Sequence, residues 1–174
     1  MRFALLKTMV VSVFSLMLSY SAAQQNTARN THVLFICEHG NVKSLMAASY
    51  FNQMANERGL PFHAVARGTH PNSTTVPPGV VETLRAEGVD VSSFHPSMLS
   101  NSDLSTSARV IAIGVELTPD SRQLAQTSVE EWNDIPPATL SYAATQQALK
   151  AHVERLVDEL SKATASRRSS PAGK

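Results

Sequence analysis

The chain has 174 residues, of which 43% are hydrophobic and 17% charged, and its formal net charge is +1. This composition is typical of a folded globular protein and excludes a disordered or fibrous one. The net charge is close to zero, whereas nucleic-acid binders carry an excess of basic residues. The single cysteine excludes an internal disulfide, a paired-cysteine redox motif and a four-cysteine zinc site.

The N-terminal residues follow the pattern of a secretory signal. Arg2 and Lys7 provide a positive start, an uncharged apolar run covers residues 8–20, and small residues come after it. The run is shorter than the roughly 20 residues that a membrane-spanning helix needs. We therefore predict a signal peptide over residues 1–23 and a flexible segment over 24–31 in an exported protein, periplasmic or secreted. The mature chain is expected to have no stable membrane insertion, and a retained membrane anchor is the alternative.

Short apolar runs alternate with helical patterns along the rest of the chain. The runs predict four strands, and apolar residues at helical spacing predict helices between and after them. In chain order we expect a strand at 32–36, a helix at 44–58, a strand at 62–67, a helix at 78–87, mostly loop at 92–107, strands at 109–115 and 128–133, and a helix from about residue 142. This alternation predicts a single three-layer, flavodoxin-like α/β domain, in which helices flank a four-stranded parallel sheet. The domain is expected to span residues 32–162, followed by a disordered polar tail over 163–174.

The cysteine stands in the loop after the first predicted strand, residues 37–43 (CEHGNVK). In parallel sheets, ligands bind beyond the carboxyl ends of the strands, so this loop is the expected place for chemistry. Gly40 and Asn41 tolerate positive φ, which allows the backbone N–H groups to turn inward as an anion-binding nest. The first turn of the next helix adds unpaired N–H groups and the positive end of its dipole. Together they predict a cradle for a tetrahedral oxyanion such as phosphate, arsenate or sulfate.

Cys37 is the candidate nucleophile in this cradle. The positive field favours the thiolate over the thiol, the Ser44 hydroxyl is placed to hydrogen-bond the sulfur, and Lys43 offers a cation for the substrate oxygens. His39 either contacts substrate or hydrogen-bonds backbone, and the sequence leaves both open. Cys37 and His39 have no third ligand at a suggestive spacing, so we expect no metal and no cofactor.

The residues VLFICEHGNVKS and the following LMAASYFNQMA resemble the opening of the low-molecular-weight protein tyrosine phosphatase family, which includes related arsenate reductases. The similarity continues through residues 66–69, 84–91 and 109–115. It implies that Cys37 is the catalytic nucleophile and that the loop after the first strand binds phosphate. The residues that this resemblance assigns to the substrate's phosphate are Glu38, His39, Gly40, Asn41, Val42, Lys43 and Ser44.

Two positions depart from the family pattern. The family has arginine at the position of Lys43, and arginine binds two phosphoryl oxygens at once whereas lysine is a mobile point charge. One hypothesis is that Arg67, where the family has alanine, supplies the missing guanidinium; the alternative is an arginine that points away.

The family's general acid is a late aspartate beside proline, which implies Asp134 in EEWNDIPP, with Glu130 and Glu131 as alternatives.

These features predict an exported cysteine-dependent phosphatase of the protein-tyrosine-phosphatase type. Its substrate would be a phosphotyrosine protein or small aryl phosphate, hydrolysed through a cysteinyl-phosphate intermediate, and no nucleic-acid partner is expected. Two alternatives stay open. An arsenate reductase would need an external thiol because the chain has one cysteine. Lysine in place of arginine is also compatible with a catalytically weakened oxyanion-binding relative.

Overall fold

Four short parallel strands form the sheet in the computed structural model, which describes residues 31–169 and the side chains up to Arg167. The strands are β1 (His32–Cys37), β2 (His63–Gly68), β3 (Arg109–Ile113) and β4 (Val129–Trp132). Their spatial order is β2-β1-β3-β4, and every neighbouring pair is parallel. The predicted four-stranded parallel α/β architecture is therefore confirmed.

Between residues 31 and 169, five helices flank the sheet. They are α1 (Lys43–Glu57), α2 (Pro78–Arg85), α3 (Asn101–Thr106), α4 (Pro119–Leu124) and α5 (Tyr142–Ser169). Helices α1, α2 and α5 contribute to a core on one face that includes Phe35, Phe51 and Trp132. A smaller core on the other face joins Leu34 and Ile36 to α3. Strand β1 is buried on both faces, which explains its continuous apolar run.

Two of these helices lie outside the predicted elements. Helix α3 forms within the region expected to be mostly loop, because Ser100 and Asp103 make a reciprocal capping box at its start. Helix α4 is capped by Thr118 and has Pro119 in its first turn, but it buries no residue. Helices of one or two turns that bury one side chain or none leave no hydrophobic period in the sequence.

The C-terminal helix also runs past its predicted end. Helix α5 continues to Ser169, so residues 163–169 of the segment expected to be disordered are helical. Alanine and arginine favour helix, and extending an existing helix costs little, so polar residues continue it without a buried stripe. Residues 170–174 lie outside the described residues, as do the predicted signal peptide and residues 24–30.

Between residues 31 and 169, no helix combines the length and the apolar character needed to cross a membrane. The same part of the chain holds no group of three His, Cys, Asp or Glu side chains arranged to bind a metal ion.

Candidate active site

The loop between β1 and α1 is fixed to the segment that follows β2. Backbone N–H groups of Thr69 and His70 donate to the carbonyls of Cys37 and Glu38 at 3.0 and 2.7 Å. The His39 ring nitrogen Nδ1 donates to the carbonyl of His70 at 3.0 Å. The loop therefore rests on the carboxyl end of the neighbouring strand, where a parallel sheet presents its ligands.

Two glycines permit this close approach. Gly40 has φ +75°, and a Cβ built on it would lie 2.7 Å from the Gly68 nitrogen. A Cβ on Gly68 would lie 2.7 Å from the His39 carbonyl carbon. Asn41 was also expected to accommodate positive φ, but in the described chain only glycines adopt it. Asn41 is instead buried, and its amide donates to the carbonyl of Thr75 at 3.5 Å.

The Cys37 sulfur lies at the base of the loop, 3% exposed, with two polar groups directed at it. The Ser44 hydroxyl is 3.1 Å from Sγ, and the Gly40 N–H donates to Sγ at 3.3 Å. The predicted contact between Ser44 and the sulfur is present. Both groups are able to donate to a thiolate, so they stabilise negative charge on Sγ.

Helix α1 begins directly after the loop with its N-terminus uncapped by a side chain. Val42 is the N-cap residue, and the first turn contains no acidic residue. The first intrahelical bond is donated by Met46 to the Val42 carbonyl at 2.9 Å, so the N–H groups before it lack intrahelical acceptors. With the helix dipole they favour an anion at this position.

Lys43 brings a positive charge to the same edge of the sheet. Its side chain is half-buried and forms no ion pair with any carboxylate of residues 31–169. A Cβ built on Gly114, at the end of β3, would lie 2.5 Å from Lys43 Nζ. The missing side chain at Gly114 therefore makes room for the ammonium group. Sequence reasoning missed this role, and the only available signal was a glycine closing an apolar strand.

The structure contradicts the hypothesis that Arg67 replaces the loop arginine. Arg67 is the register partner of Ile36, so it points to the face of the sheet opposite Cys37. There its guanidinium binds both carboxylate oxygens of Asp103 at 3.1 Å and donates to the Ala66 carbonyl at 2.9 Å. The bidentate pair holds Arg67 against α3. The Arg67 side chain therefore points away from the loop that contains Cys37.

Asp134, the implied general acid, lies in the turn after β4. Its carboxylate accepts a hydrogen bond from His152 Nε2 of α5 at 2.9 Å, and its side chain is 70% exposed. This hydrogen bond holds the pKa of the Asp134 carboxyl below its usual range. A general acid must be protonated near neutral pH, so the shift runs against that role. Asp134 as the acid stays a prediction of the resemblance, and this geometry does not favour it.

The two alternative carboxylates are also engaged in local contacts. Glu130 accepts from the Trp132 indole N–H at 2.7 Å. Glu131 accepts a hydrogen bond from Arg122 and forms an ion pair with it. The hydrogen bond, followed by the one from Asn133 and by the charge of Arg122, lowers the pKa of the Glu131 carboxyl. Each of the three acids thus has a partner on β4, α4 or α5.

Two grooves open beside the loop. The first, which we call the neutral groove, has a volume of about 480 Å³ and is bounded by the loop, by residues between 72 and 78 and by the start of α5. Its lining contains apolar and uncharged polar groups together with His39 and Tyr142, and no carboxylate. The second groove, of about 520 Å³, is lined by Glu38 and Glu116 among others. The two carboxylates repel a negatively charged ligand there, and the Lys43 ammonium, beside Gly114 in the same lining, offsets part of that repulsion.

Solved structures share this fold. The Bacillus subtilis protein YfkJ aligns with a TM-score of 0.64 and 22% identity, over 76% of this chain and 95% of its own. An arsenate reductase in its phosphate-binding state aligns with a TM-score of 0.61 and 20% identity, over 75% and 98%. A low-molecular-weight protein tyrosine phosphatase from T. tengcongensis aligns with a TM-score of 0.58 and 20% identity, over 74% and 99%. These identities are low, so the alignments establish the fold alone.

Comparison with curated proteins yields no match. The family model of the low molecular weight phosphotyrosine protein phosphatases, in contrast, matches residues 32–166, which includes all four strands and the loop around Cys37. A match of this extent, with the cysteine at the end of β1 and the loop opening into α1, assigns the family. The chain therefore belongs to the low-molecular-weight phosphotyrosine protein phosphatase family.

Proposed function

We propose that this protein is an exported phosphatase that hydrolyses aryl or tyrosyl phosphate monoesters through a cysteinyl-phosphate intermediate. The observation that carries the proposal is the buried Cys37 sulfur, held between the Ser44 hydroxyl at 3.1 Å and the Gly40 N–H at 3.3 Å. The uncapped start of α1 supplies positive potential at the end of this loop, and the ammonium group of the half-buried Lys43 lies beside Gly114, which follows the neighbouring strand β3. A nucleophile and an anion cradle thus coincide.

In the first step, the Cys37 thiolate attacks phosphorus, the S–P bond forms and the bond to the leaving oxygen breaks. The loop and α1 N–H groups hold the non-bridging oxygens while charge builds up on them. In the second step, water attacks phosphorus, the S–P bond breaks and phosphate leaves. The Ser44 hydroxyl then stabilises the departing thiolate.

The neutral groove supports an aryl leaving group. It is flanked by Val42 and Val76 and by the Tyr142 ring, and it lacks carboxylates that would repel a phosphorylated ligand. The second groove has Glu38 and Glu116 on its walls and is the less suitable site. Export is supported by the signal-peptide pattern of residues 1–23.

The test is an assay of the mature protein, beginning at Gln24, with p-nitrophenyl phosphate. We expect turnover that Cys37→Ser abolishes while phosphate binding persists. The matched control is Ser107→Ala, which removes a buried serine hydroxyl bonded to the Asp103 carbonyl away from the loop. Turnover that survives Cys37→Ser would disprove the cysteine mechanism.

Two other outcomes would assign other functions. Arsenite formation from arsenate and an added thiol, without nitrophenol release, would assign an arsenate reductase. Phosphate binding with neither activity would assign an oxyanion-binding protein.

A further inference from the structure

Asp134, the general acid that the family resemblance implies, lies at the same edge of the sheet as Cys37. Trp132 ends β4 as the register partner of Ile113, which directly follows the register partner of Ile36 in β1. Trp132 and Cys37 are therefore level with each other, two strand spacings or roughly 10 Å apart, and both side chains belong to the same core. The turn at 133–134 directly follows Trp132, so it emerges beside the proposed cradle.

His152 of α5 fixes the carboxylate in this turn. An ionised carboxylate only accepts hydrogen bonds, so His152 Nε2 donates to Asp134 Oδ2 in the 2.9 Å contact. The imidazole is itself held, because it packs on the Trp132 ring with 4.7 Å between the ring centroids and its side chain is 15% exposed. Asp134 also lies between the buried residues Trp132 and Ile135, which anchor the backbone on both sides. The carboxylate is thus bound to a fixed partner.

The position in which Asp134 is held does not suit acid catalysis. Asp134 lines neither of the two grooves beside the loop, and its side chain is 70% exposed. The segment that follows it does reach the neutral groove, through Ala138 and Thr139. The hydrogen bond from His152 also stabilises the carboxylate, which keeps the pKa of the Asp134 carboxyl below its usual range. A carboxylate is unable to protonate a leaving oxygen, but it is able to accept a proton from water.

The other charged groups near Asp134 have weaker effects or other partners. Among the causes that lower the pKa of the Asp134 carboxyl, the hydrogen bond from α5 is the largest, followed by its own backbone N–H, the imidazole charge and the charge of Arg155. On β4, Glu130 is bonded to an indole N–H and Glu131 to the Arg122 guanidinium of α4. The contact with α5 is therefore the one whose loss most changes the state of this carboxyl.

We infer that His152 is a positioning residue that binds the Asp134 carboxylate, restrains it as the general acid and leaves it available as the general base. The inference rests on the proposed phosphatase function, with Asp134 in the role that the resemblance implies. In the first step, the S–P bond forms, the P–O bond breaks and the protonated Asp134 gives its proton to the leaving oxygen. In the second step, the carboxylate takes a proton from the attacking water, the S–P bond breaks, and the thiolate and the protonated carboxyl are restored. The bond from His152 slows the first step and favours the second.

Two substitutions of His152 separate the hydrogen bond from the presence of a side chain. His152→Gln places an amide N–H close to the position of Nε2 and keeps the donor, whereas the shorter side chain in His152→Asn does not reach the carboxylate. Phenol, like tyrosine, has a pKa of about 10, so its oxygen needs a proton to leave, whereas nitrophenolate leaves without one.

We expect a gain of activity when the bond is removed. At about pH 6, kcat/KM of His152→Asn for phenyl phosphate should rise about three- to tenfold, because up to about one unit of pKa changes the protonated fraction of the acid by that factor. The value for p-nitrophenyl phosphate should change by less than about twofold. His152→Gln should resemble the wild type with both substrates. Damage to the fold around Trp132 would lower both rates and could not produce the gain.

Three results would overturn the inference. Losses with both substrates in His152→Asn would mean that the ring only supports packing, and unchanged rates would mean that the contact does not restrain the acid. A gain for phenyl phosphate that persists in the double variant with Asp134→Asn would mean that the effect does not pass through Asp134. In each case a wild type that hydrolyses the substrates leaves the phosphatase function in place. If the wild type hydrolyses neither substrate, that function fails, and the inference fails with it.

Discussion

At the scale of single residues, the site depends on polar groups directed at one buried sulfur. Cys37 Sγ contacts the Ser44 hydroxyl and the Gly40 N–H, and the nearest part of α1 presents free N–H groups. Hydrogen bonds to a charged group are worth more than bonds between neutral groups, about 1.5–3 kcal/mol each. The hydroxyl therefore matters most in the steps where the sulfur is negatively charged.

Removing that hydroxyl is predicted to slow release of the thiolate. In Ser44→Ala, we expect kcat with p-nitrophenyl phosphate to fall about 10- to 100-fold, which corresponds to loss of a charged hydrogen bond. A burst of nitrophenol in stopped-flow measurements should become larger, because cysteinyl-phosphate accumulates. Ser107→Ala, which removes a buried hydroxyl bonded to a carbonyl, should leave kcat unchanged; an equal loss there would point to general destabilisation.

Lys43 is predicted to contribute through charge. Lys43→Ala should weaken phosphate binding and lower kcat by roughly 100-fold, since a charge-stabilising donor in such a site is typically worth about 3 kcal/mol. Calorimetry with inorganic phosphate and steady-state kinetics measure the two effects. Lys162→Ala, which removes an exposed lysine from α5, should alter neither, and similar losses in both variants would contradict a local role for Lys43.

At the scale of elements, the loop geometry is imposed by the end of β2 as much as by the loop itself. Gly40 and Gly68 meet backbone to backbone, and Gly114 leaves room for Lys43 at the end of β3. Glycines at the end of β2 and shortly after β1 and β3 thus shape the cradle, because these positions have no side chain. The turn after β4 is attached separately, through Asp134 and His152, to α5.

Adding one methyl group at Gly68 is predicted to displace the loop. The Cβ in Gly68→Ala would lie 2.7 Å from the His39 carbonyl carbon, so the loop must shift and phosphate binding should weaken by at least 10-fold. Gly59→Ala is the control, because its φ of +62° strains the backbone but no atom lies within 4 Å of the new Cβ. Gly59→Ala should lower the free energy of unfolding by roughly 1 kcal/mol and leave phosphate affinity intact. Equal phosphate affinities in both variants would refute the packing argument.

The Asp134–His152 contact predicts an acid-sensitive contribution to stability. The bond from His152 lowers the pKa of the Asp134 carboxyl from its ordinary 3.8, so the folded state binds this proton less tightly than the unfolded state. The contribution is therefore complete above about pH 5 and is lost as pH falls through the folded pKa. Urea unfolding should show Asp134→Asn less stable than wild type at pH 7, with the difference vanishing at low pH.

A double-mutant cycle provides the control for this contact. In a His152→Asn background, Asp134→Asn should cause no further loss of stability at pH 7. Additive losses would mean that the two side chains stabilise the fold independently. A difference that grows as pH falls would contradict the sign of the pKa shift.

At the scale of the whole molecule, a predicted signal peptide precedes a domain of the phosphatase family that contains one cysteine. The described domain begins with β1 at His32, and the proposed nucleophile, Cys37, stands five residues later on the same strand. In an oxidising compartment an exposed thiol would be vulnerable, whereas Cys37 is 3% exposed and covered by its own loop.

Export is predicted to remove residues 1–23. Expression of the full chain in a bacterial host should give a periplasmic or secreted protein whose mass corresponds to a start at Gln24. A chain that lacks residues 1–23 should stay in the cytoplasm. Recovery of the intact N-terminus in the membrane fraction would instead indicate a retained anchor.

The sequence by itself determined the alternation of strands and helices, the loop at Cys37 and the partnership of Cys37 with Ser44, because these depend on neighbours along the chain and on local periodicity. Tertiary structure alone decided the rest. Arg67 faces α3 because strand register sets which side of the sheet a side chain takes, and its partner Asp103 lies far along the chain. Asp134 is held by His152 for the same reason, since ion pairs between distant segments form only once helices pack on the sheet.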